Sequence, residues 1–99
     1  MPSTQELIKK YIQDNVVMVF SKSFCPYCDE AKGVLSQVYP DFTAIELDQL
    51  PDGGDIQDAL QSLSGQRTVP NIYIKGKHVG GCDDLLSAQK SGKLKELLA

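Results

Sequence analysis

Two cysteines, Cys25 and Cys28, lie three positions apart, between an apolar run at 16–20 and a helix-like run at 29–38. Cysteines at this spacing can form a disulfide or supply half of a metal site. Their place in the chain favours the first chemistry, because the N–H groups at a helix start have no helical partner and carry partial positive charge. That environment favours the thiolate form of Cys25. Since only a thiolate is a nucleophile, Cys25 is the candidate reactive residue.

The residues around the pair support a redox reading. Pro26 suits the first turn of a helix, where its fixed φ fits and its missing N–H costs nothing. One helical turn places Cys28 beneath Cys25 and nearer the core. We therefore expect Cys25 to be the exposed attacking sulfur and Cys28 the sheltered sulfur that closes on it, with Lys22 adding positive charge nearby. In a strand–helix–strand setting, this cysteine spacing is typical of a redox pair.

The elements that must position the pair are predicted by hydrophobic periodicity, which gives the order αβαβαββαα. The first half of the chain is predicted to form a helix at 3–14 with a capping box at Ser3 and Glu6, a strand at 16–20 apolar on both faces, the helix after the cysteines and a strand at 42–47. A loop at 48–54 and a helix ended by Gly65 follow. A strand at 71–75 then forms a hairpin with His78 and Val79 through Gly76, and two C-terminal helices are separated at 91–92. The first two strands are expected to be parallel with a right-handed crossover.

The length, net charge and cysteine count limit the class of protein. A length of 99 residues predicts a single domain, 1–99. A net charge of -3 without long blocks of like charge argues against nucleic acid or an anionic membrane as partner. No apolar run reaches the roughly 18 residues of a membrane span. The N-terminal residues lack a signal-peptide pattern, and the odd count of three cysteines indicates a reducing compartment, so we expect a cytoplasmic protein.

Three motifs occur together: Cys25-Pro26-Tyr27-Cys28, Thr68-Val69-Pro70 and Gly80-Gly81-Cys82-Asp83-Asp84. In this combination the chain resembles the dithiol glutaredoxins over essentially its whole length. The resemblance implies an α/β thioredoxin-like fold, with a four-stranded mixed β-sheet flanked by about five α-helices. It also implies a cis peptide bond before Pro70 and a monomeric enzyme. The implied activity is glutathione-dependent reduction of protein–glutathione mixed disulfides and of small or protein disulfides, in cell redox homeostasis.

The resemblance also implies roles for individual residues. Cys25 would be the nucleophile and Cys28 the resolving thiol. The glutathione-binding residues would be Lys22, Tyr27, Gln66, Thr68, Val69, Pro70, Gly81, Cys82 and Asp83. Lys22 and one of Gln66 and Arg67, preferably Gln66, would meet the glycine carboxylate of glutathione. Val69 would pair with its cysteine unit through the backbone.

Elementary chemistry supports part of this assignment. Gly81, Cys82 and Asp83 open a predicted helix, whose free N–H groups can hold the γ-glutamyl carboxylate. An Asp83 carboxylate there can meet the ammonium group, and Lys22 and Arg67 can make charge-assisted hydrogen bonds to the other carboxylate. The partners implied are glutathione, as co-substrate, and proteins that carry disulfides or bound glutathione. No metal is expected.

Plainer roles and other functions stay open. Asp84 is predicted to cap a helix, and Cys82 to be a free thiol that contributes its backbone. His78 is predicted to be a hairpin residue. A metal module is one alternative, since Cys25, Cys28, Cys82 and His78 are zinc-type ligands; a second version is an iron–sulfur cluster shared by two chains. Against both, Pro26 stiffens the loop and a second complete ligand pair is missing. A thioredoxin-type protein, reduced by an enzyme and not by glutathione, is a further alternative. It is disfavoured because thioredoxins resemble W-C-G-P-C, whereas here the cysteines enclose Pro26 and Tyr27 and follow Phe24.

Overall fold

A four-stranded mixed sheet lies at the centre of the computed structural model, which describes residues 3–99. The strands are β1 (Val17–Ser21), β2 (Thr43–Glu46), β3 (Asn71–Ile74) and β4 (Lys77–Gly80), and the helices are α1 (Thr4–Asp14), α2 (Pro26–Val38), α3 (Gly53–Ser64), α4 (Cys82–Ser91) and α5 (Lys93–Leu98). The strand order is β2-β1-β3-β4. β1 pairs with β2 in parallel and with β3 antiparallel, and β3 pairs with β4 antiparallel. The predicted element order and the four-stranded mixed sheet with five helices are confirmed.

The central strand β1 separates two apolar cores. Val17 and Val19 pack in a cluster with residues of α2, α4 and α5. Met18 and Phe20, which alternate with them, pack in a second cluster with residues of α1 and α3. Successive side chains of a strand point to opposite faces, so an apolar strand covered on both sides is the expected result. The prediction fails only at Val16, which precedes β1 and is 39% exposed.

Helix α2 begins at Pro26 with Cys25 as its N-cap, so it includes the helix-like run at 29–38 and the three residues before it. Pro26 occupies the first helical position, where its ring is tolerated. Helix α1 is capped by Ser3, whose Oγ accepts a hydrogen bond from the N–H of Glu6 at 3.2 Å. Both predicted helices are therefore confirmed, including the position of Pro26 in the first turn of α2.

The prediction of a loop at 48–54 is wrong. A short 3-10 helix, Leu47–Gln49, follows β2 directly, and α3 already begins at Gly53. A Cβ at Gly53 would lie 2.9 Å from the carbonyl carbon of Leu47, so glycine lets the start of α3 pack against the 3-10 helix. Pro51, Gly53 and Gly54 look like loop residues in sequence, which concealed this compact connection.

Other local predictions are confirmed or extended. Gly65 ends α3 with a φ of 80°, as predicted for a C-terminal glycine. The peptide bond between Val69 and Pro70 is cis. Strand β4 is longer than the predicted pair His78 and Val79. Among residues 3–99, no helix combines the length and apolar character needed to cross a bilayer.

Candidate active site

The sulfur of Cys25 lies at the start of α2. As the N-cap side chain, it accepts a hydrogen bond from the N–H of Cys28, with a distance of 3.2 Å between nitrogen and sulfur. The same sulfur lies 3.9 Å from the carbonyl oxygen of Val69. Cys25 is partly exposed. A donor at the positive end of a helix is placed to stabilise negative charge on this accessible sulfur.

Cys28 lies one turn further on and is completely buried. Burial, together with the hydrogen bond and charge of Cys25, raises the pKa of the Cys28 thiol to about 11, although hydrogen bonds from the Lys22 backbone and the Ser21 side chain oppose this. At neutral pH Cys28 therefore keeps its proton. The two sulfurs differ in access as the spacing predicts: one faces solvent and the other faces the core.

A cavity of about 340 Å³ lies beside this pair. It is lined by Tyr27, Gln66, Thr68, Val69, Pro70, Gly81, Cys82, Asp83 and Asp84. Of the nine residues that the resemblance assigns to glutathione, all except Lys22 are in this lining. A larger cavity of about 720 Å³, between α1 and the turn that joins β3 to β4, has no cysteine in its lining. The smaller cavity is therefore the candidate site because it lies beside the cysteine pair, although it is not the larger of the two.

Side-chain amides fix the loop that carries Val69 and Pro70. The Nε2 of Gln66 donates to the carbonyl oxygens of Thr68, at 3.0 Å, and Pro70, at 2.9 Å. Behind the loop, the buried Gln57 donates to the carbonyl oxygen of Arg67 at 3.1 Å. These bonds hold the backbone of Val69 in place beside the Cys25 sulfur. The Gln66 amide nitrogen thus supports the wall of the cavity as well as lining it.

The two cations of the predicted glycine-carboxylate site behave differently. Arg67 is drawn back to α3, where its Nε lies 3.1 Å from an oxygen of Asp58. Lys22 stays on the cysteine side, with its ammonium group 6.0 Å from the centre of the Phe24 ring. The preference for Gln66 over Arg67 at the cavity agrees with this geometry, because Gln66 lines the cavity and Arg67 does not.

The opposite wall of the cavity is the start of α4. Gly81 is its N-cap, and its N–H donates to an Asp84 carboxylate oxygen at 3.0 Å, which is the predicted capping role of Asp84. Cys82 follows and is only 5% exposed. Burial and the negative charges of Glu30 and Asp83 raise the pKa of the Cys82 thiol. This wall therefore offers helix N–H groups and carboxylates, with a third thiol that keeps its proton.

The sequence reading missed Asp48, which holds the turn before Cys25. Its carboxylate accepts hydrogen bonds from the N–H of Ser23, at 2.9 Å, and from the Ser23 hydroxyl. These bonds, together with the charge of Lys22, lower the pKa of Asp48. A signal was available, because Ser23 and Asp48 each come shortly after the end of a predicted strand. The carboxyl ends of the parallel neighbours β1 and β2 meet at one sheet edge.

The alternative zinc ligands are not gathered into one site. Within the described range 3–99, no group of three or more His, Cys, Asp or Glu side chains could hold a metal ion. His78 instead packs beside Tyr73, with ring centres 5.1 Å apart, and burial lowers the pKa of its imidazole. His78 therefore belongs to the hairpin, as its position in the sequence suggested.

This fold, with an accessible and a sheltered cysteine at one helix start, defines a thiol oxidoreductase of the thioredoxin-like class. Comparison with known proteins specifies the family. The Glutaredoxin family model matches residues 17–79. Glutaredoxin-1 of Rhizophagus irregularis is 50% identical over 99 residues, covering 100% of this chain and 98% of the relative. Glutaredoxin-C1 of Arabidopsis thaliana is 48% identical over 90 residues, covering 91% and 72%. The chain belongs to the glutaredoxin family.

Solved structures agree with this assignment. The holo form of glutaredoxin C1 from Populus tremula x tremuloides superposes with a TM-score of 0.93 at 38% identity, covering 98% of this chain and 96% of that one. The buckwheat glutaredoxin–glutathione complex also gives a TM-score of 0.93, at 42% identity, covering 96% and 86%. The predicted thioredoxin-like fold is confirmed.

Proposed function

We propose that this protein is a dithiol glutaredoxin, which uses glutathione to reduce protein–glutathione mixed disulfides and small or protein disulfides through Cys25 and Cys28. The observation that carries the proposal is the partly exposed Cys25 sulfur, which accepts a helix N–H at 3.2 Å beside a cavity of about 340 Å³. A relative with 42% identity, from buckwheat, has been solved in complex with glutathione.

The cavity suits a small acidic tripeptide. Glutathione carries two carboxylates, one ammonium group and a central thiol. The backbone of Val69 would pair with the cysteine unit, as an added strand pairs with a sheet edge. The N–H groups of Cys82 and Asp83 at the α4 start would take the γ-glutamyl carboxylate, and the Asp83 side chain would take the ammonium group. Lys22 would bind the glycine carboxylate. Gln66, whose amide nitrogen already donates to the carbonyl oxygens of Thr68 and Pro70, would form the cavity wall together with Tyr27, Thr68, Pro70 and Gly81.

With a mixed disulfide as substrate, the Cys25 thiolate attacks the glutathionyl sulfur. A bond forms between the Cys25 sulfur and that sulfur, while the bond to the protein substrate breaks. The electron pair leaves on the substrate thiolate, which takes a proton from water. The thiolate of a second glutathione then attacks the glutathionyl sulfur, which releases Cys25 and forms glutathione disulfide. The substrate protein is thus returned to its thiol, and one free glutathione is joined to the glutathionyl group from the substrate as glutathione disulfide.

With a protein disulfide as substrate, Cys28 completes the reaction. Cys25 forms a mixed disulfide with one substrate sulfur, and Cys28 attacks Cys25 to form the intramolecular disulfide and release the second substrate thiol. Two of the causes that raise the pKa of Cys28 are the hydrogen bond and the charge of Cys25. A disulfide sulfur carries no charge, so Cys28 loses its proton more readily in the mixed disulfide than in the resting protein. Two glutathione molecules then restore the dithiol.

A coupled assay of glutathione-dependent reduction tests the proposal, with the mixed disulfide of glutathione and 2-mercaptoethanol as substrate. Cys25→Ser should lower kcat/KM by at least about a hundredfold, whereas Cys28→Ser should stay within about threefold of the wild type. With a protein disulfide as substrate, Cys28→Ser should be strongly impaired. Unfolding transitions like that of the wild type control for folding. Turnover by Cys25→Ser at the wild-type rate would refute the proposal.

We also propose that the protein acts as a monomer in the cytoplasm. The odd cysteine count supports a reducing compartment. Sedimentation of the reduced protein at several concentrations would test the first point, and imaging of the tagged full-length protein in its own cell would test the second. A concentration-independent mass of one chain is the expected result.

A further inference from the structure

Phe24 is an exposed aromatic residue without a structural role in either core. It leaves 71% of its surface in solvent, more than any other large apolar side chain among residues 3–99. Its ring belongs to neither apolar cluster, and it does not line the cavity beside Cys25. Because removal of apolar surface from water is favourable, an exposed ring is available to a partner that covers it.

The turn that carries Phe24 is held on both sides. Ser23, the residue before it, donates its N–H to Asp48 at 2.9 Å and its hydroxyl to the same carboxylate. Cys25, the residue after it, donates its N–H to the carbonyl oxygen of Lys22 at 3.2 Å. The backbone at Phe24 is therefore ordered before any partner arrives. Ordering a contact residue in advance lowers the entropy cost of binding.

Phe24 and Tyr27 flank the same sulfur but face different neighbours. Tyr27 is 64% exposed and also lines the cavity, so it serves the side on which glutathione is proposed to bind. Phe24 is adjacent to Cys25 in the chain, which keeps the two Cα atoms about 3.8 Å apart, yet it lies outside the cavity lining. Tyr27 therefore lies on the cavity side of the thiol, whereas Phe24 is an exposed ring next to Cys25 in the chain and outside the cavity lining.

We propose that Phe24 binds the polypeptide half of the substrate, through an apolar side chain next to the substrate's glutathionylated cysteine. This inference rests on the proposed function. When the glutathionyl half fills the cavity, the polypeptide joined to it by the disulfide must leave across the rim of Cys25. Phe24 is the large apolar surface on that rim. It therefore distinguishes protein substrates by the residues beside their cysteine.

Three substrates test this inference: a glutathionylated peptide with leucine on both sides of its cysteine, the same peptide with serine at those positions, and the mixed disulfide of glutathione and 2-mercaptoethanol. Wild-type kcat/KM should be higher for the leucine peptide than for the serine peptide. Phe24→Ser should lower kcat/KM for the leucine peptide about five- to twentyfold and leave the other two within about twofold. Phe24→Leu should keep most of the wild-type preference.

The control is Val38→Ser, which removes an apolar side chain that is 42% exposed at the far end of α2. It should change none of the three values. The inference is overturned if the wild type does not distinguish the two peptides, or if Phe24→Ser lowers all three values equally. The proposed function fails separately, if wild-type protein does not turn over the small mixed disulfide at all.

Discussion

Two helix starts, each with a cysteine, form the surroundings of the same cavity, and the two sulfurs differ. At α2, Cys25 is the N-cap, is partly exposed, and accepts the N–H of Cys28 at 3.2 Å. At α4, Gly81 takes the cap position and Cys82 comes one residue later. The Cys82 sulfur is buried, and burial and nearby carboxylates raise its pKa.

This difference shows that a helix N-terminus alone does not make a reactive thiol. An N-cap side chain reaches the free N–H groups of the first turn, whereas the side chain of the first helical residue does not. The neighbouring charges add to the effect: Glu30 and Asp83 oppose a negative charge on Cys82. Cap position, access and local charge together select Cys25 from the three cysteines of the chain.

The largest expected contrast is in alkylation. At neutral pH, iodoacetamide should modify Cys25 at least about a hundredfold faster than Cys82, because Cys25 is accessible whereas Cys82 is buried and its pKa is raised. Mass spectrometry of peptides after timed quenching measures both rates in one sample. Rates within a few-fold of each other would contradict the proposed difference in reactivity between Cys25 and Cys82.

A second prediction concerns the rate at which Cys28 forms a disulfide with Cys25. Starting from the mixed disulfide between Cys25 and glutathione, formation of the Cys25–Cys28 disulfide should accelerate about tenfold per pH unit while Cys28 remains below its pKa. Stopped-flow measurement of glutathione release gives this rate. A rate that is independent of pH from neutral pH to pH 9 would contradict a buried, protonated Cys28.

The same proton affects stability. In the reduced protein the pKa of Cys28 is raised from 9.0 to about 11, so between these values the folded chain holds a proton that the unfolded chain releases. The stabilising contribution is therefore present below pH 9 and is lost as pH rises toward 11. Denaturant titrations should show a steeper fall in unfolding free energy for the wild type than for Cys28→Ser. Parallel curves would argue against the raised pKa.

Removal of a carboxylate near Cys82 should reduce the difference in alkylation rate between Cys25 and Cys82. Glu30→Gln takes away a charge that raises the pKa of Cys82, so alkylation of Cys82 should accelerate about two- to fivefold. Asp41→Asn, a similar change on an exposed residue outside the cavity lining, is the matched control. Equal effects of both changes would assign the result to net charge alone.

The smallest expected effect is a gain in stability without a change in thiol chemistry. Gly33 lies within α2, and an added Cβ would meet no atom within 4 Å. Gly33→Ala should therefore raise the free energy of unfolding by about 0.5–1 kcal/mol and leave the alkylation rate of Cys25 unchanged. Thermal unfolding measures the gain, and a loss of stability would reveal a packing constraint that the open surface does not indicate.

The sequence predicts much of this site because local rules govern it. The spacing of Cys25 and Cys28 and the place of Pro26 decide which sulfur is sheltered. The contacts it did not predict depend on the tertiary structure. Asp48 reaches Ser23 across 25 positions of the chain, from a 3-10 helix that looks like a loop in sequence. Similarly, no local pattern shows that Arg67 turns to Asp58 and away from the cavity.

The most direct test of the account uses the Cys28→Ser protein, in which no resolving thiol can remove a bound glutathione. After incubation with glutathione disulfide, intact mass and peptide mapping locate the adduct. The account predicts one glutathione, attached to Cys25, and an unmodified Cys82. An adduct on Cys82 with Cys25 free, or no adduct at all, would contradict it.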